Sequence, residues 1–442
     1  MMQVFPVRDT GLGNTSYVVD LGDGSALVVD PERDPRPYVE VADRQRLVIR
    51  HVAETHLHAD FVSGARELVA VGASLIAPRR SALAHPHRGV AEGDELAVGD
   101  LTLQVLETPG HTPEHVAYLL KDGSNPRVLF SGGTLMTGGV ARPDLISDAA
   151  TVPLAHQAFW SVRRLLESIP AEVEVRPTHG AGSFCSAPGA EHPEMTTVGV
   201  ERATHPAMTT PDEDAFVDQL LGVLGSYPGY FLRLREVNRL GPKVYGVDLR
   251  PLPRIRPEDL GEAHTIVDVR PIERFAEGHI PGSISIALRD QFGTWLGWLL
   301  APDSRLAFVL DADQDERELI RQTLNVGNEN IMGRLDLAEW KTTDQGLATI
   351  DLVSPADIDP AASILDVRQD AEWTGGHVPG AVHVELGDLA DGTANMGPGT
   401  VVHCGHGQRA MTAASLLARA GNPPAAVIPA DFSEIQRAAT VS

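Results

Sequence analysis

The sequence predicts an α/β chain of several domains, and three observations carry that prediction. Apolar strand segments alternate with stretches of helical periodicity. Histidine and carboxylate residues recur just after the strand segments of the N-terminal half. Two short motifs, Asp-Val-Arg and then Gly-His-x-Pro-Gly, occur twice in the C-terminal half at one spacing.

A chain of 442 residues holds two to four domains at roughly 100–200 residues each. Its hydrophobic content of 43% is that of a globular protein. The net charge is −24, from 60 acidic and 36 basic residues, which argues against nucleic acid or an anionic membrane as partner. No apolar run reaches the roughly 18 residues of a membrane span. Met1 to Pro6 lack a basic, then apolar, leader pattern, so a cytoplasmic location is expected. Cys185 and Cys404 are the only cysteines. A structural disulfide is not expected in a cytosolic chain, so each thiol is weighed as a functional group.

Residues 1–50 read as short strands with turns at 11–14 and 22–24. A buried strand at 47–53 ends just before a histidine cluster. Helical periodicity follows at 65–71, then strands at 101–106 and 128–130. A helix is expected over 153–168, a strand at 173–175 and a short amphipathic helix over 211–225. The Pro/Arg-rich stretch 249–257 reads as a linker.

Beyond it lies the repeat. Asp268 and Asp366 are 98 residues apart, and so are His279 and His377. One spacing over two motifs indicates duplication of a small α/β domain. The second copy contains Val401-Val402-His403-Cys404-Gly405-His406-Gly407-Gln408-Arg409, then a helical pattern over 410–420. This is strand, tight glycine loop, helix. Backbone N–H groups, the helix N-terminus and Arg409 there would stabilise a thiolate or an anionic sulfur group on it. Asp-Val-Arg, Gly-His-Val-Pro-Gly and Cys-x4-Arg together resemble the rhodanese (sulfurtransferase) domain, over roughly residues 353–435. The resemblance implies that Cys404 carries a sulfane sulfur as a persulfide and that Arg409 stabilises the anion. The final turn, Pro429-Ala430-Asp431-Phe432, departs from the Gly-Gly and Trp common in that family. The first copy has Asp311, Asp313, Asp315 and Glu316 in the corresponding loop and no cysteine. It is expected to be a rhodanese-like domain without sulfur transfer.

In the N-terminal half, His56-x-His58-x-Asp60, Pro109-Gly110-His111 and Thr178-His179-Gly180 each follow a strand. Imidazoles at separate strand ends can converge on one first-row metal. These motifs resemble the metallo-β-lactamase superfamily, over residues 1 to about 225. Ala59–Gly64, Ala141-Arg142-Pro143-Asp144-Leu145 and Pro177–Cys185 resemble its persulfide dioxygenase branch. That resemblance implies one Fe(II) per chain, with Zn as the alternative. His56 and His111 are its implied ligands; His58, Asp60 and His179 would stand behind them. Arg142 would contact an anionic thiol, and Cys185 would lie near the pocket as a catalytic or relay thiol. Phe61 replaces a ligand of two-metal hydrolases. Gly133 stands where an Asp ligand is expected, and glycine has nothing to coordinate with.

The fold expected is therefore a metallo-β-lactamase αββα sandwich over 1–250, followed by rhodanese-type α/β domains over 258–345 and 353–442. The function implied is oxidation of a small-thiol persulfide by O2 to sulfite, coupled to sulfur transfer at Cys404 to give thiosulfate. The alternatives are a sulfurtransferase whose metal site has degenerated at Gly133, and a zinc-dependent hydrolase. The resemblance further implies a homo-oligomer.

Overall fold

In the computed structural model the described residues are 2–441, apart from 181, 187–194, 248, 262, 360, 391–395 and 397–398. The chain forms two compact units, residues 1–249 with 324–327 and residues 250–323 with 328–442.

The first unit is a four-layer sandwich. One sheet runs in chain order through Val4–Asp9, Asn14–Asp20, Ser25–Val29, Val48–Ala53, Ser74–Pro78 and Arg88–Val90. The second is ordered Thr196–Thr197, Glu174–Pro177, Asn125–Gly132, Val116–Asp122, Leu101–Glu107 and Glu95–Val98. Alternate residues of facing strands bury between them. Tyr17, Val19, Leu27 and Val29 of one sheet meet Leu103, Val105, Tyr118 and Phe130 of the other. This is the two-sheet core that strand periodicity dictates. Helices cover both outer faces. Arg36–Gln45 and Ala65–Ala70 bury Tyr38, Ala42 and Leu68 on the first sheet. Asp148–Ser168 buries Phe159, Val162 and Leu166 on the second.

That last helix begins five residues before the expected start at Pro153. Ser147 is extended and Asp148 sits in the first turn, where a carboxylate meets the positive end of the helix. Pro153 falls inside the helix and removes one N–H donor.

The second unit contains two five-stranded parallel sheets with the same strand order. The first is Arg254–Ile255, Ile331–Leu335, Arg305–Val309, His264–Asp268, Ile284–Ser285. The second is Asp351–Leu352, Ala426–Ile428, Val401–His403, Ile364–Asp366, Val382–His383. The presumed linker 249–257 thus contains an edge strand. Ile255 pairs beside Leu335 and is buried in the core with it, which overrides the proline-rich composition.

The Asp-Val-Arg repeat has one purpose in both copies. Arg270 donates to both oxygens of Asp268 and to the Gly278 carbonyl; Arg368 does the same to Asp366 and Gly376. Each pair is buried, and each pins its helix to its first strand.

Candidate functional site

Three strand ends bring the N-terminal histidines together. His56 follows Val48–Ala53, His111 follows Leu101–Glu107, and His179 follows Glu174–Pro177. All three are buried, and their ring nitrogens form one group of ligand atoms within 4.8 Å of each other.

Their partners fix which nitrogen carries the proton. Thr55 Oγ1 spends its single proton on Asp30 Oδ2 at 2.7 Å, so it accepts from His56 Nδ1 at 2.8 Å. The Arg142 carbonyl accepts from His111 Nδ1 at 2.7 Å. The Asn14 amide oxygen accepts from His179 Nδ1 at 2.9 Å, while the amide nitrogen donates to Asp60 at 2.6 Å. Each ring therefore presents a bare Nε2 lone pair to the same space. This is the tautomer that metal ligation requires, set by groups behind the ligands. Burial holds all three imidazoles neutral. His111 and His179 are lowered to about 3, and His56 lies well below its ordinary value. Two lone pairs, on His56 and His179, face each other across 3.3 Å, and among the described residues His111 Nε2 has no hydrogen-bond partner. The arrangement fits a divalent cation, with three imidazoles as ligands.

His58 is different. Its Nε2 lies 2.9 Å from Glu54 and 3.2 Å from Asp30. Burial would lower its pKa; the Asp30 and Glu54 carboxylates outweigh this and raise it to about 10. Phe61 stacks on its ring with centroids 4.3 Å apart. His58 is thus a charged element of the wall. Asp60 is buried beside His179, with carboxylate and ring nitrogen 3.5 Å apart.

Gly133 follows the strand Asn125–Gly132, and its N–H donates to His115 Nε2 at 3.0 Å. A Cβ at 133 would stand 2.8 Å from the His111 ring and 3.0 Å from Ala141. The missing side chain would have pointed at the cluster.

In the second unit, Cys404 follows the strand Val401–His403 and precedes the helix Gln408–Arg419. The sulfur is buried. Gly407 has φ +84°, and a Cβ there would stand 2.7 Å from Pro429 Cα, so only glycine fits this loop. Arg409 lies within Coulombic range of Cys404. It makes a two-point pair with Glu372, at 2.5 and 2.8 Å.

Comparison with known proteins agrees with both halves. The profile of the metallo-beta-lactamase superfamily matches residues 9–180, and that of the rhodanese-like domain matches residues 257–333 and 351–438. A crystal structure of a metallo-beta-lactamase from Staphylococcus aureus is 30% identical. It superimposes with a TM-score of 0.67 over 76% of this chain and 99% of that one. The chain belongs to the metallo-beta-lactamase superfamily. It also carries two rhodanese-like domains. Among curated relatives, a hydroxyacylglutathione hydrolase from Methylobacillus flagellatus is 43% identical over 122 residues, 27% of this chain and 46% of the relative. Another, from Xanthomonas axonopodis, is 33% identical over 191 residues, 43% of this chain and 69% of the relative. The chain spans about half the length of the first curated relatives it matches.

Within the metallo-beta-lactamase domain the remaining sequence candidates are more enclosed than their motifs suggest. Arg142 gives its guanidinium to Asp144, to the Phe184 and Gly225 carbonyls and to the Tyr227 ring. That leaves it a structural tie between loops, and its carbonyl is what orients His111. Cys185 is buried beside Asp60 and Arg142; burial first, then the Asp60 carboxylate, raises its thiol well above the ordinary value. Two residues escaped the sequence reading. Asp30, at φ +48°, receives Thr55 and Thr178 and so orients His56. His115 accepts from Gly133 N–H on Nε2, which places its proton on Nδ1 toward the Thr108 hydroxyl at 2.8 Å. Its ring stacks on His56 with centroids 4.9 Å apart. A second His four residues after His111 was the available signal.

The fold and the histidine cluster imply a bound metal ion. Among the described residues no helix is long and apolar enough to cross a membrane.

Proposed function

We propose that this protein is an enzyme of sulfur metabolism, in which a persulfide is oxidised at the metallo-beta-lactamase centre and sulfane sulfur is handled at Cys404. The observation that carries the reading is the Cys404 loop: a lone buried thiol between a strand end and a helix N-terminus, in a turn that admits only glycine at 407. Such a loop suits a persulfide anion better than packing. Sulfur transfer there balances as thiosulfate plus the thiolate giving the cysteine persulfide anion plus sulfite, and it runs in either direction.

His56, His111 and His179 would hold the metal, proposed as one Fe(II). The metal supplies the site at which O2 and a persulfide are brought together. The net reaction is R–S–SH + O2 + H2O giving R–SH, sulfite and two protons. The sulfite formed is a substrate for the persulfide on Cys404, giving thiosulfate. Small-thiol persulfides, O2, sulfite and thiosulfate are thus the proposed partners, in the cytoplasm.

Zinc-dependent thioester hydrolysis is a second reading, favoured by the curated relatives named hydroxyacylglutathione hydrolase. Two features of the pocket stand against it. His58 is held by two carboxylates under Phe61, and position 133 offers no ligand.

The deciding experiment is O2 uptake by anaerobically Fe(II)-loaded protein given a small-molecule persulfide, with bound metal assayed in the same sample. Uptake with sulfite or thiosulfate formed is expected. No uptake from metal-replete protein, with thiosulfate:cyanide transfer retained, would reduce the reading to a sulfurtransferase. Thioester hydrolysis in air-free buffer would replace the oxidative reading with the hydrolytic one.

A further inference from the structure

The middle domain lacks a thiol, yet it packs directly against the Cys404 loop. Ile272 lies against the backbone at 407, its Cδ1 3.2 Å from where a Cβ would be. Ser285 N–H donates to Ser415 Oγ at 3.0 Å, on the helix that follows the loop. Arg419 of that helix reaches the Gly282 carbonyl at 2.9 Å. Trp298 lies on the backbone of Gly387. These contacts surround the segment between Ile284–Ser285 and Phe292–Leu299, and that segment carries Arg289.

Arg289 differs from the other arginines near the thiol. Arg368 is paired with Asp366 and Arg409 with Glu372. Arg289 has a neutral partner, the Gln291 side-chain oxygen, and among the described residues no carboxylate pairs with it. It lies within Coulombic range of both Cys404 and Arg409. Burial lowers its pKa and the charge on Cys404 opposes that shift. The Asp290 carboxylate also favours its charged form through space, but a half-buried guanidinium with no carboxylate bonded to it is a suitable contact for a visiting anion. Ninety-eight residues further on, where the C-terminal copy has its own counterpart, stands Gly387. The catalytic copy therefore has no such arginine, and the thiol-less copy does.

We propose that Arg289, contributed by the middle domain, binds the oxyanion end of the sulfur substrate at Cys404, so that the thiol-less domain completes the sulfurtransferase site and selects dianions such as thiosulfate and sulfite. The guanidinium fork matches two oxygens of such a group. This rests on the sulfurtransferase reading above and explains why a domain with no thiol of its own belongs in the chain.

The test uses the full-length protein and two measurements. In the thiosulfate:cyanide assay, Arg289→Gln should raise the KM for thiosulfate at least about tenfold, the loss expected for one charge-assisted contact. Its kcat should stay within about threefold, since the contact is made before and during transfer alike, and Arg289→Lys should recover part of the KM. In calorimetry on the Cys404→Ser protein, thiosulfate binding should weaken at least about tenfold when Arg289→Gln is added. Unchanged KM and unchanged binding, or no binding in the Cys404→Ser parent, would overturn the assignment. If the wild-type chain transfers no sulfur at all, the sulfurtransferase reading fails instead, and the calorimetric comparison still decides whether Arg289 holds the anion.

Discussion

The Nε2 atoms of His56 and His179 stand 3.3 Å apart, and each ring has its proton committed to the far nitrogen. Two lone pairs at that distance repel unless a cation lies near both. Position 133 offers no carboxylate, so His179 is the third donor the pocket presents. His179→Ala should therefore lose bound metal as fully as His56→Ala. Asp60→Asn, which alters only a group behind a ligand, should weaken binding by about 10–100-fold. Metal content of the purified proteins and the metal-induced rise in Tm measure both. Wild-type stoichiometry in His179→Ala would place that ring outside the coordination sphere.

Restoring the absent carboxylate is a separate question. A Cβ at 133 meets the His111 ring at 2.8 Å and Ala141 at 3.0 Å. Gly133→Asp must displace one of them by a few tenths of an ångström, at a cost of about 1–3 kcal/mol typical of overpacking. The added carboxylate then lies beside His111. The expected result is a lower Tm for the metal-free variant and more metal per chain after loading. A folded variant with unchanged metal content would show that the carboxylate cannot reach the cluster.

Much of this was legible in the sequence because it depended on local pattern. The strand ends carrying His56, His111 and His179, the 98-residue repeat and the Cys404 loop all follow from short-range periodicity and glycine placement. What escaped depended on partners distant in sequence. His179 gives no hint that its Nε2 reaches His56, 123 residues away. Arg409 reads as a free anion-binding residue until Glu372, 37 residues earlier, is seen to pair with it. Arg142 likewise reads as a substrate contact until the Phe184 and Gly225 carbonyls take its donors. Nothing local marks Asp30, which follows the strand Ser25–Val29; its role emerges only when Thr55 and Thr178 converge on it.

The two thiols should differ sharply in reactivity. Burial and the Asp60 carboxylate keep Cys185 protonated through neutral pH, and the thiolate is the form that reacts. In the folded Cys404→Ser protein, iodoacetamide labelling of Cys185 should be negligible near pH 7 and should rise only in alkaline solution. Cys185→Ser should leave thiosulfate:cyanide transfer within about twofold of wild type, because a buried protonated thiol is a poor relay. Loss of transfer in that variant, with the fold intact, would restore Cys185 to the sulfur path.

Gly407 joins the Cys404 loop to the helix that follows it. Its φ of +84° lies in the left-handed region, and a Cβ there would press on Pro429 Cα at 2.7 Å and on Ile272 of the middle domain at 3.2 Å. Backbone cannot give way as a flexible side chain would. Gly407→Ala should therefore cost about 1–3 kcal/mol of stability and move the loop that positions the sulfur. The rate should suffer more than the stability, since a misplacement of about 1 Å at a reacting atom can cost about 100-fold. Thermal melting and steady-state transfer on the same preparation separate the two effects. Gly421→Ala is the control: it has a similar φ of +84° and nothing within 4 Å, so it carries the backbone strain without the crowding. Equal loss of transfer in both variants would mean that general destabilisation, and not the shape of the loop, accounts for the defect.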